Sequence, residues 1–513
     1  VTARFPFTDA SADGDWCAFC EQAGKWKPEG YDEDMALRLR YYLDQQLDDT
    51  KAELKRRFPE THASMTPWAL PITRHLVREQ AKVFLASTKL ELVADGEPIT
   101  NADLLKWWAK TQEAMGLGLR LKRVDAYTTL MRTCGLRFGH TPGRLTAQVV
   151  FSHTIRVVMD PEAPMDLDRA HGVAIEVASE AGVRGSGPRR FEVWCAREGE
   201  EQHLVLEERS DEEHKTIRIL SRDEGDPMRA PDGRTVVPLV LFSAHTEELG
   251  LFTLEGSDLI PANRGVNILV TDLHHIAEQQ GFGVMVLETA AGGKTPGKIV
   301  RAPNTAISLD EGVTAKFINA SAPIAELLAL AESRIKLSAV LHGIPAGSVS
   351  IEARAVASGI ALQIELRPLL EIRGDAVEVY RDPMRRVWEV FWAVHNAYAQ
   401  AEGAKALPED IEMRWTPGEI QMPVDDAQKV ETILAKKKAR LISRVEAIAQ
   451  DRGVSLKEAK EIAKRIDEEE PPQTLEPLDD PLGLARRREQ MRGAPPNDGR
   501  EPDDEDEERP PKE

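Results

Sequence analysis

Gly293, Lys294 and Thr295 stand in the order that closes a phosphate-cradling loop, a glycine followed by lysine and a hydroxyl residue. That loop also needs a glycine five positions earlier, where the backbone turns tightly, and the residue there is Glu288. The segment is therefore read as a basic loop and not as a nucleotide site. Cys17 and Cys20 form a CxxC, which is half of a zinc site or a redox pair. Cys134 and Cys195 lie in no second CxxC, so His62 or His75 would have to help complete a closed site. The simpler expectation is two reduced cysteines. His274 and His275 are neighbours on a predicted helix, point in different directions and make a poor metal pair. Trp107 and Trp108, and Trp388 with Trp392 one turn on, read as packing residues. The chain has no glycine-rich dinucleotide fingerprint, no HExxH and no GxSxG. What remains is a set of cations without acid–base partners: Lys294, Lys298 and Arg301, then Arg334 and Lys336, then Arg354. Cations in such a pattern contact phosphate, or pair with acids on another chain; they do not make or break bonds.

The elements that must position them follow one another over residues 258–399. Ile260, Val266, Leu269, Leu273 and Ile276 keep helical spacing across Asp258 to Gln280. Gly281 to Glu288 is a short apolar run opened by glycines, which predicts a buried strand. A Gly/Pro/Lys loop follows over Ala290 to Lys298, and Pro303 and Gly312 break Ile299 to Asn319 into small strands and turns. Helical spacing resumes at Ile324 to Leu341 and stops at Gly343 and Pro345. Ala346 to Gly359 is a loop of small residues containing Arg354. From Ile360 to Tyr398 the pattern is helical again with Pro368, Gly374 and Pro383 inside it, which predicts one long helix kinked at Pro368. Further on, Val430, Ile433, Leu434, Leu441, Ile442, Val445, Ile448 and Ala449 mark one face of two or three helices, divided at Ser443 and at Gly453 to Ser455.

The 513 residues allow two to four domains and a substantial core. The chain is 42% hydrophobic and only 5% aromatic, which fits a helix-rich protein. No stretch reaches eighteen uncharged apolar residues and the N-terminus has no basic-then-apolar signal, so neither membrane insertion nor secretion is expected. The net charge is -20, and residues 467–513 hold seventeen acidic against seven basic residues and nine of the 32 prolines. That composition predicts a disordered acidic tail. So acidic a chain is a poor tight binder of duplex DNA.

The order helix, small β-containing loop, helix, small-residue loop, long kinked helix resembles the portal proteins of tailed double-stranded-DNA bacteriophages. The resemblance extends over roughly residues 30–470. Thr66 to Ser87 looks like the early helix of that family's wing, Cys134 to Pro164 like its strand pair and the strand ending in Val-Met-Asp, and Val236 to Asn267 like the segment entering the first stem helix. Met422 to Val454 resembles its C-terminal helices. Residues 160–236, rich in charge and glycine, match nothing. The resemblance implies an α+β, helix-rich, multidomain ring subunit: a wing over 1–257, stem helices at 258–282 and 322–345, a clip at 283–321, a tunnel loop at 346–359, a long helix returning to the wing over 360–421, a crown over 422–470 and a tail over 471–513. It also implies a ring of about twelve copies, in which every exposed charge becomes a ring of like charges. Arg354, Lys336 and Arg334 would face the channel, and Lys294, Lys298 and Arg301 would sit on the clip. One of His274 and His275 would face the neighbouring subunit and the other solvent. The expected partners are double-stranded DNA, bound transiently and without sequence preference, a separate terminase motor, a head–tail adaptor, and the major capsid and scaffolding proteins. No cofactor, no metal and no enzymatic activity of the chain's own are expected, and its place would be the portal vertex of a virion assembled in the host cytoplasm. Two other readings are a nucleic-acid-processing enzyme with its site in 160–236, and a helical scaffold without a channel.

Overall fold

The computed structural model describes residues 12–164, 166–177, 188–195, 202–210, 215–223, 228–244, 250–256, 258–280, 284–289, 313–318, 324–349, 359–399, 403, 405–420, 426–452 and 456–469. The expected positions of Arg354, Lys294, Lys298 and Arg301, most of the small-residue loop and the acidic tail lie outside these residues. The chain divides into two compact units, residues 1–422 and 423–513. The architecture is a mixed α+β, multidomain fold.

In the first unit, helices α1 (Ala12–Gly24), α2 (Tyr31–Tyr42), α3 (Leu47–Arg57) and α4 (Ile72–Gln80) precede strands β1 (Lys89–Ala94) and β2 (Glu97–Pro98). Helices α5 (Ala102–Met115) and α6 (Leu117–Met131) follow, then strands β3 (Thr133–Thr141), β4 (Arg144–Phe151), β5 (Ile155–Val158), β6 (Gly172–Val177), β7 (Arg189–Cys195), β8 (Gln202–Ser210), β9 (Lys215–Asp223) and β10 (Leu239–Ser243). Then come α7 (Leu259–Gln280), the strands β11 (Val284–Thr289) and β12 (Val313–Ile318), and α8 (Ile324–Leu341). The unit ends with α9 (Gly359–Val379), α10 (Arg381–Ala399) and β13 (Ile411–Thr416).

The sheets are antiparallel and small. β13 pairs with β1, β3 lies between β10 and β4, and β5 to β9 form a five-stranded meander. The meander accounts for the charge-rich stretch that periodicity left unassigned. Its inner face takes Trp16 and Phe19 of α1 against Ala174, Phe191, Val193, Leu204 and Leu206. Glu208 is buried on β8 and is held there by the Trp16 indole N–H at 3.0 Å. A buried carboxylate with a donor costs far less than an orphaned one.

The largest core gathers around α10. Val387, Trp388, Val390, Phe391, Ala393 and Val394 are buried nearly all round the helix, and Trp108 meets Trp388 edge to face at 5.6 Å. Trp107, Trp108, Trp388 and Trp392 are thus packing residues, as their spacing predicts.

Two expectations about helices are corrected. Over Thr66 to Ser87 only Ile72–Gln80 is helical. Pro67 and Pro71 oppose an earlier start, and residues 66–71 run past α7, whose side chains take their amides: Leu70 N–H donates to Asn267 Oδ1 and Trp68 N–H to Thr271 Oγ1, each at 2.9 Å. The pattern from Ile360 to Tyr398 is not one helix but two, parted at Tyr380. Pro383 has no N–H for the Val379 carbonyl and its ring crowds that carbonyl, whereas proline in the first turn of α10 is tolerated. Pro368 lies inside α9.

In the second unit α11 (Asp426–Lys438), α12 (Arg444–Arg452) and α13 (Leu456–Glu469) are separated where Ser443 and Gly453 to Ser455 suggest. Ser443 starts α12 with a reciprocal cap. Its hydroxyl accepts from Glu446 N–H at 3.2 Å, and its own N–H donates to the Glu446 carboxylate at 2.6 Å. The hydrogen bonds from Ser443 hold the Glu446 carboxyl below its ordinary range. Of the apolar face read from sequence, Val430, Leu434 and Leu441 are exposed and Ile433, Ile442, Val445, Ile448 and Ala449 are half-buried, while Ala447, Ala459 and Ala463 are buried.

Candidate functional site

α7 and α8 form an antiparallel pair with the β11–β12 hairpin at its far end. The antiparallel sense is fixed by His342, just past the end of α8, whose Nε2 lies 3.1 Å from Oδ2 of Asp258 at the start of α7. At 1.5 Å per residue the 22 residues of α7 reach about 33 Å. In the hairpin Val284 pairs with Ile318 and Thr289 with Val313. β11 falls in the expected apolar run and β12 in the Ile299 to Asn319 stretch, of which residues 299–312 lie outside the described residues.

Periodicity places apolar residues on one face of α7, but its most deeply buried stripe is polar. Asn263, Asn267 and Thr271, four residues apart, are all fully buried. Asn267 and Thr271 hold the 66–71 segment, and the Asn263 amide is 2.9 Å from the Thr73 hydroxyl. A spacing of four in polar residues on an otherwise apolar helix was the signal available in the sequence. The base of α7 is held by Arg38, a fully buried guanidinium. It donates to Asp34 at 2.8 Å, to the carbonyls of Leu254 and Glu255 at 2.7 Å each, and to the Leu130 carbonyl at 3.1 Å. One side chain thereby joins α2, the end of α6 and the entry to α7.

α8 has two faces of different character. Ala331, Ser338 and Ala339 are buried, and small side chains let a helix pack closely. Leu330, Leu337, Val340 and Leu341, at intervals of seven, three and one, are 44%, 60%, 55% and 70% exposed. Ile364 on α9 is 69% exposed. α8 ends in a two-bond glycine cap: Ile344 N–H donates to the Ala339 carbonyl and Gly343 N–H to the Val340 carbonyl. Gly343 has φ +68°, a left-handed backbone that favours glycine, and a Cβ there would also push the Ile372 Cδ1 of α9 aside.

The basic candidates within the described residues are engaged. Lys336 Nζ lies 3.8 Å from Glu332 one turn earlier. Arg334 extends along α7, where a Cβ added at Gly265 would be 3.4 Å from its Nη1. His274 pairs with Glu278 at 3.2 Å and packs edge to face on Trp68; His275 Nδ1 is buried without a partner among the described residues. Cys20 receives an N–H from Arg156 at 2.8 Å, and burial pushes its thiol pKa up. Among the described residues no three His, Cys, Asp or Glu come together as a metal set, so neither His62 nor His75 completes a site with the CxxC. No described helix is long and apolar enough to cross a membrane.

Two buried carboxylates tie α9 and α10 to the rest of the unit. Asp168 takes both guanidinium arms of Arg386 at 2.6 Å and the Val237 N–H at 3.1 Å. Asp125 accepts from Val83 N–H at 2.8 Å and faces Tyr380 OH at 3.4 Å, at the break between α9 and α10. Burial pushes its pKa up to about 6 from 3.8, partly offset by the Val83 and Phe84 amides, Tyr380 and the Arg373 guanidinium. A carboxyl whose folded pKa is raised contributes stability that is full below 3.8 and lost as pH rises through about 6. A shift of this size corresponds to about 3 kcal/mol. Urea unfolding at pH 4 and at pH 7 should therefore show the stability of the wild type falling by about 2–3 kcal/mol relative to Asp125→Asn over that interval. Parallel pH profiles for the two proteins would show that Asp125 does not titrate in the fold.

No protein-family model matches the chain, and no curated protein does. Among solved structures the chain is similar, at 12% identity and a TM-score of 0.39, to a chain of "Neck of empty GTA particle computed with C6 symmetry", over 79% of this chain and 94% of that one. It is similar over the same shares to chains of "Virion of native gene transfer agent (GTA) particle", at 13% identity and a TM-score of 0.36, and of "Neck of native GTA particle computed with C12 symmetry", at 14% and 0.35. TM-scores this low assign neither a fold nor a function to the chain.

Proposed function

We infer that this protein is the portal subunit of a tailed, double-stranded-DNA phage or a phage-like particle. Its copies close into a ring that lines the channel through which DNA enters and leaves the capsid. One observation carries this reading: an antiparallel helix pair followed by a β hairpin, whose α8 leaves Leu337, Val340 and Leu341 exposed over its last turn, with Leu330 two turns earlier on the same side. A monomer has no use for exposed apolar side chains clustered at one helix end, whereas a ring covers them with the next copy.

In this reading residues 258–282, which hold α7, and 322–345, which hold α8, are the stem, residues 283–321 are the clip, and residues 346–359 with Arg354 are the tunnel loop. α9, with Pro368 setting its angle, carries that loop from a wing built around α10, and α11 to α13 form the crown. Lys294, Lys298 and Arg301 meet DNA or the head–tail adaptor. Arg354, Lys336 and Arg334 give sparse basic rings in a wall whose net charge is negative, so that the duplex is guided without being held. The chain has no hydrolytic role: a terminase motor docks on the ring, and the capsid and scaffolding proteins surround it. Sedimentation of the purified protein tests the assembly. A single species about twelve times the 57.0 kDa chain is expected, and a monomer at every concentration, with capsid and scaffolding partners present, counts against it.

A further inference from the structure

Away from the α7–α8 pair, a cavity of about 280 Å³ opens between α5, the β3–β4 hairpin and the last turn of α10. Trp107, Lys110, His140, Arg144, His395 and Tyr398 supply its chemistry. The His140 and Tyr398 rings stack in parallel, with centroids 4.4 Å apart and planes 7° from each other. The Trp107 ring lies 5.2 Å from that of His395, whose Nε2 is 3.2 Å from the Lys405 carbonyl. Burial lowers the His395 pKa, so the ring is neutral at pH 7 and presents an aromatic face. Lys110 and Arg144 are exposed at the rim. Arg144 donates one N–H to the Ala114 carbonyl, which holds one arm of its guanidinium, a group with five donors.

Among the described residues that line this cavity none is a carboxylate, in a chain with 86 acidic and 66 basic residues. Flat aromatic walls below a cationic rim select a planar body that carries an anion. Stacking of a base on an aromatic side chain contributes about 1–3 kcal/mol, and Lys or Arg adds charge-assisted bonds to phosphate. We propose that the cavity binds a nucleoside monophosphate unit, free or at the end of a single strand, with its base against Trp107 and its phosphate on Lys110 and Arg144. This site is independent of ring formation and of the channel.

Calorimetric titration of the full-length protein with deoxyadenosine monophosphate tests it. Saturable binding is expected, with adenosine and inorganic phosphate each at least about tenfold weaker, since each keeps only half of the contacts. Lys110→Glu and Arg144→Gln, both at exposed positions, should each weaken binding about tenfold while leaving the melting temperature unchanged. A 5′-phosphorylated thymidine trinucleotide that binds more tightly than the monophosphate identifies a strand end as the source; equal affinity identifies the free nucleotide. The proposal is overturned by no saturation at millimolar ligand, by phosphate binding as well as the nucleotide, or by wild-type affinity in both variants. Preference for a short Asp/Glu peptide carrying one phenylalanine would overturn it in favour of protein docking.

Discussion

Replacing Leu337 and Val340 together by aspartate is expected to turn the assembled particle into single chains. Both side chains are more than half exposed in the isolated subunit, so the fold of one copy loses little, within about 0.5 kcal/mol for each surface change. In the assembly the loss is large. Each leucine or valine covered by a neighbour contributes about 1.5–3 kcal/mol, and a carboxylate buried in its place without a partner costs several kcal/mol more. The defect repeats at every contact around a ring, so a subunit with two such changes has no intact interface to use. Sedimentation velocity reads the outcome directly, and circular dichroism shows whether the monomer is still folded. A double variant that still forms the complete particle would show that the stripe on α8 is not a subunit contact.

Arg38→Ala is expected to have the largest effect on the subunit itself, about 3–5 kcal/mol, because it combines a cavity with orphaned acceptors. The carbonyls of Leu130, Leu254 and Glu255 lose their donors at once, and the Asp34 carboxylate loses its cation. The buried backbone acceptors carry most of the cost. Arg38→Lys should recover only part of it, since a single ammonium cannot present a planar fork to three carbonyls and a carboxylate. The two substitutions thus separate charge from geometry in urea unfolding. Equal stability of the lysine variant and the wild type would mean that charge alone is needed. Because Leu254 and Glu255 lead into α7, proteolysis near residue 256 should also accelerate in the alanine variant before the rest of the unit opens.

The order of elements across the arm was legible because each has a single strong signal. α7 and α8 have helical spacing, β11 is a glycine-flanked apolar run, and Gly343 with Pro345 ends α8 where a left-handed residue and a helix breaker belong. The polar face of α7 was not legible in the same way. Asn263, Asn267 and Thr271 break the apolar pattern, and their partners at residues 68–73 lie nearly 200 positions away in the chain. Nothing in the sequence marks Arg38, Asp168 and Arg386 for the same reason: Arg38 is satisfied by carbonyls distant in the chain, and Asp168 and Arg386 by each other. The meander over 155–223 was hidden by glutamates and arginines that pair across its strands, such as Arg189 with Glu176 and Arg190 with Glu207. The break at Tyr380 was not placed because Pro368, Gly374 and Pro383 interrupt the pattern alike, and period alone does not say which of them ends a helix. The exposed stripe on α8 was half legible. Leu327, Leu330, Leu337 and Leu341 share one side of the helix, which by period alone is the core side, yet the buried residues are Ala331, Ser338 and Ala339.

Electron microscopy of the purified protein, averaged end-on and from the side, tests the central claim most directly. The portal reading expects a closed ring of about a dozen copies around an axial hole wide enough for a duplex, roughly 20 Å, with a narrow stem projecting from a broad wing. A compact two-domain monomer with a deep cleft and no higher assembly would contradict it, and would return attention to the strands over residues 160–236 as the place of an active site.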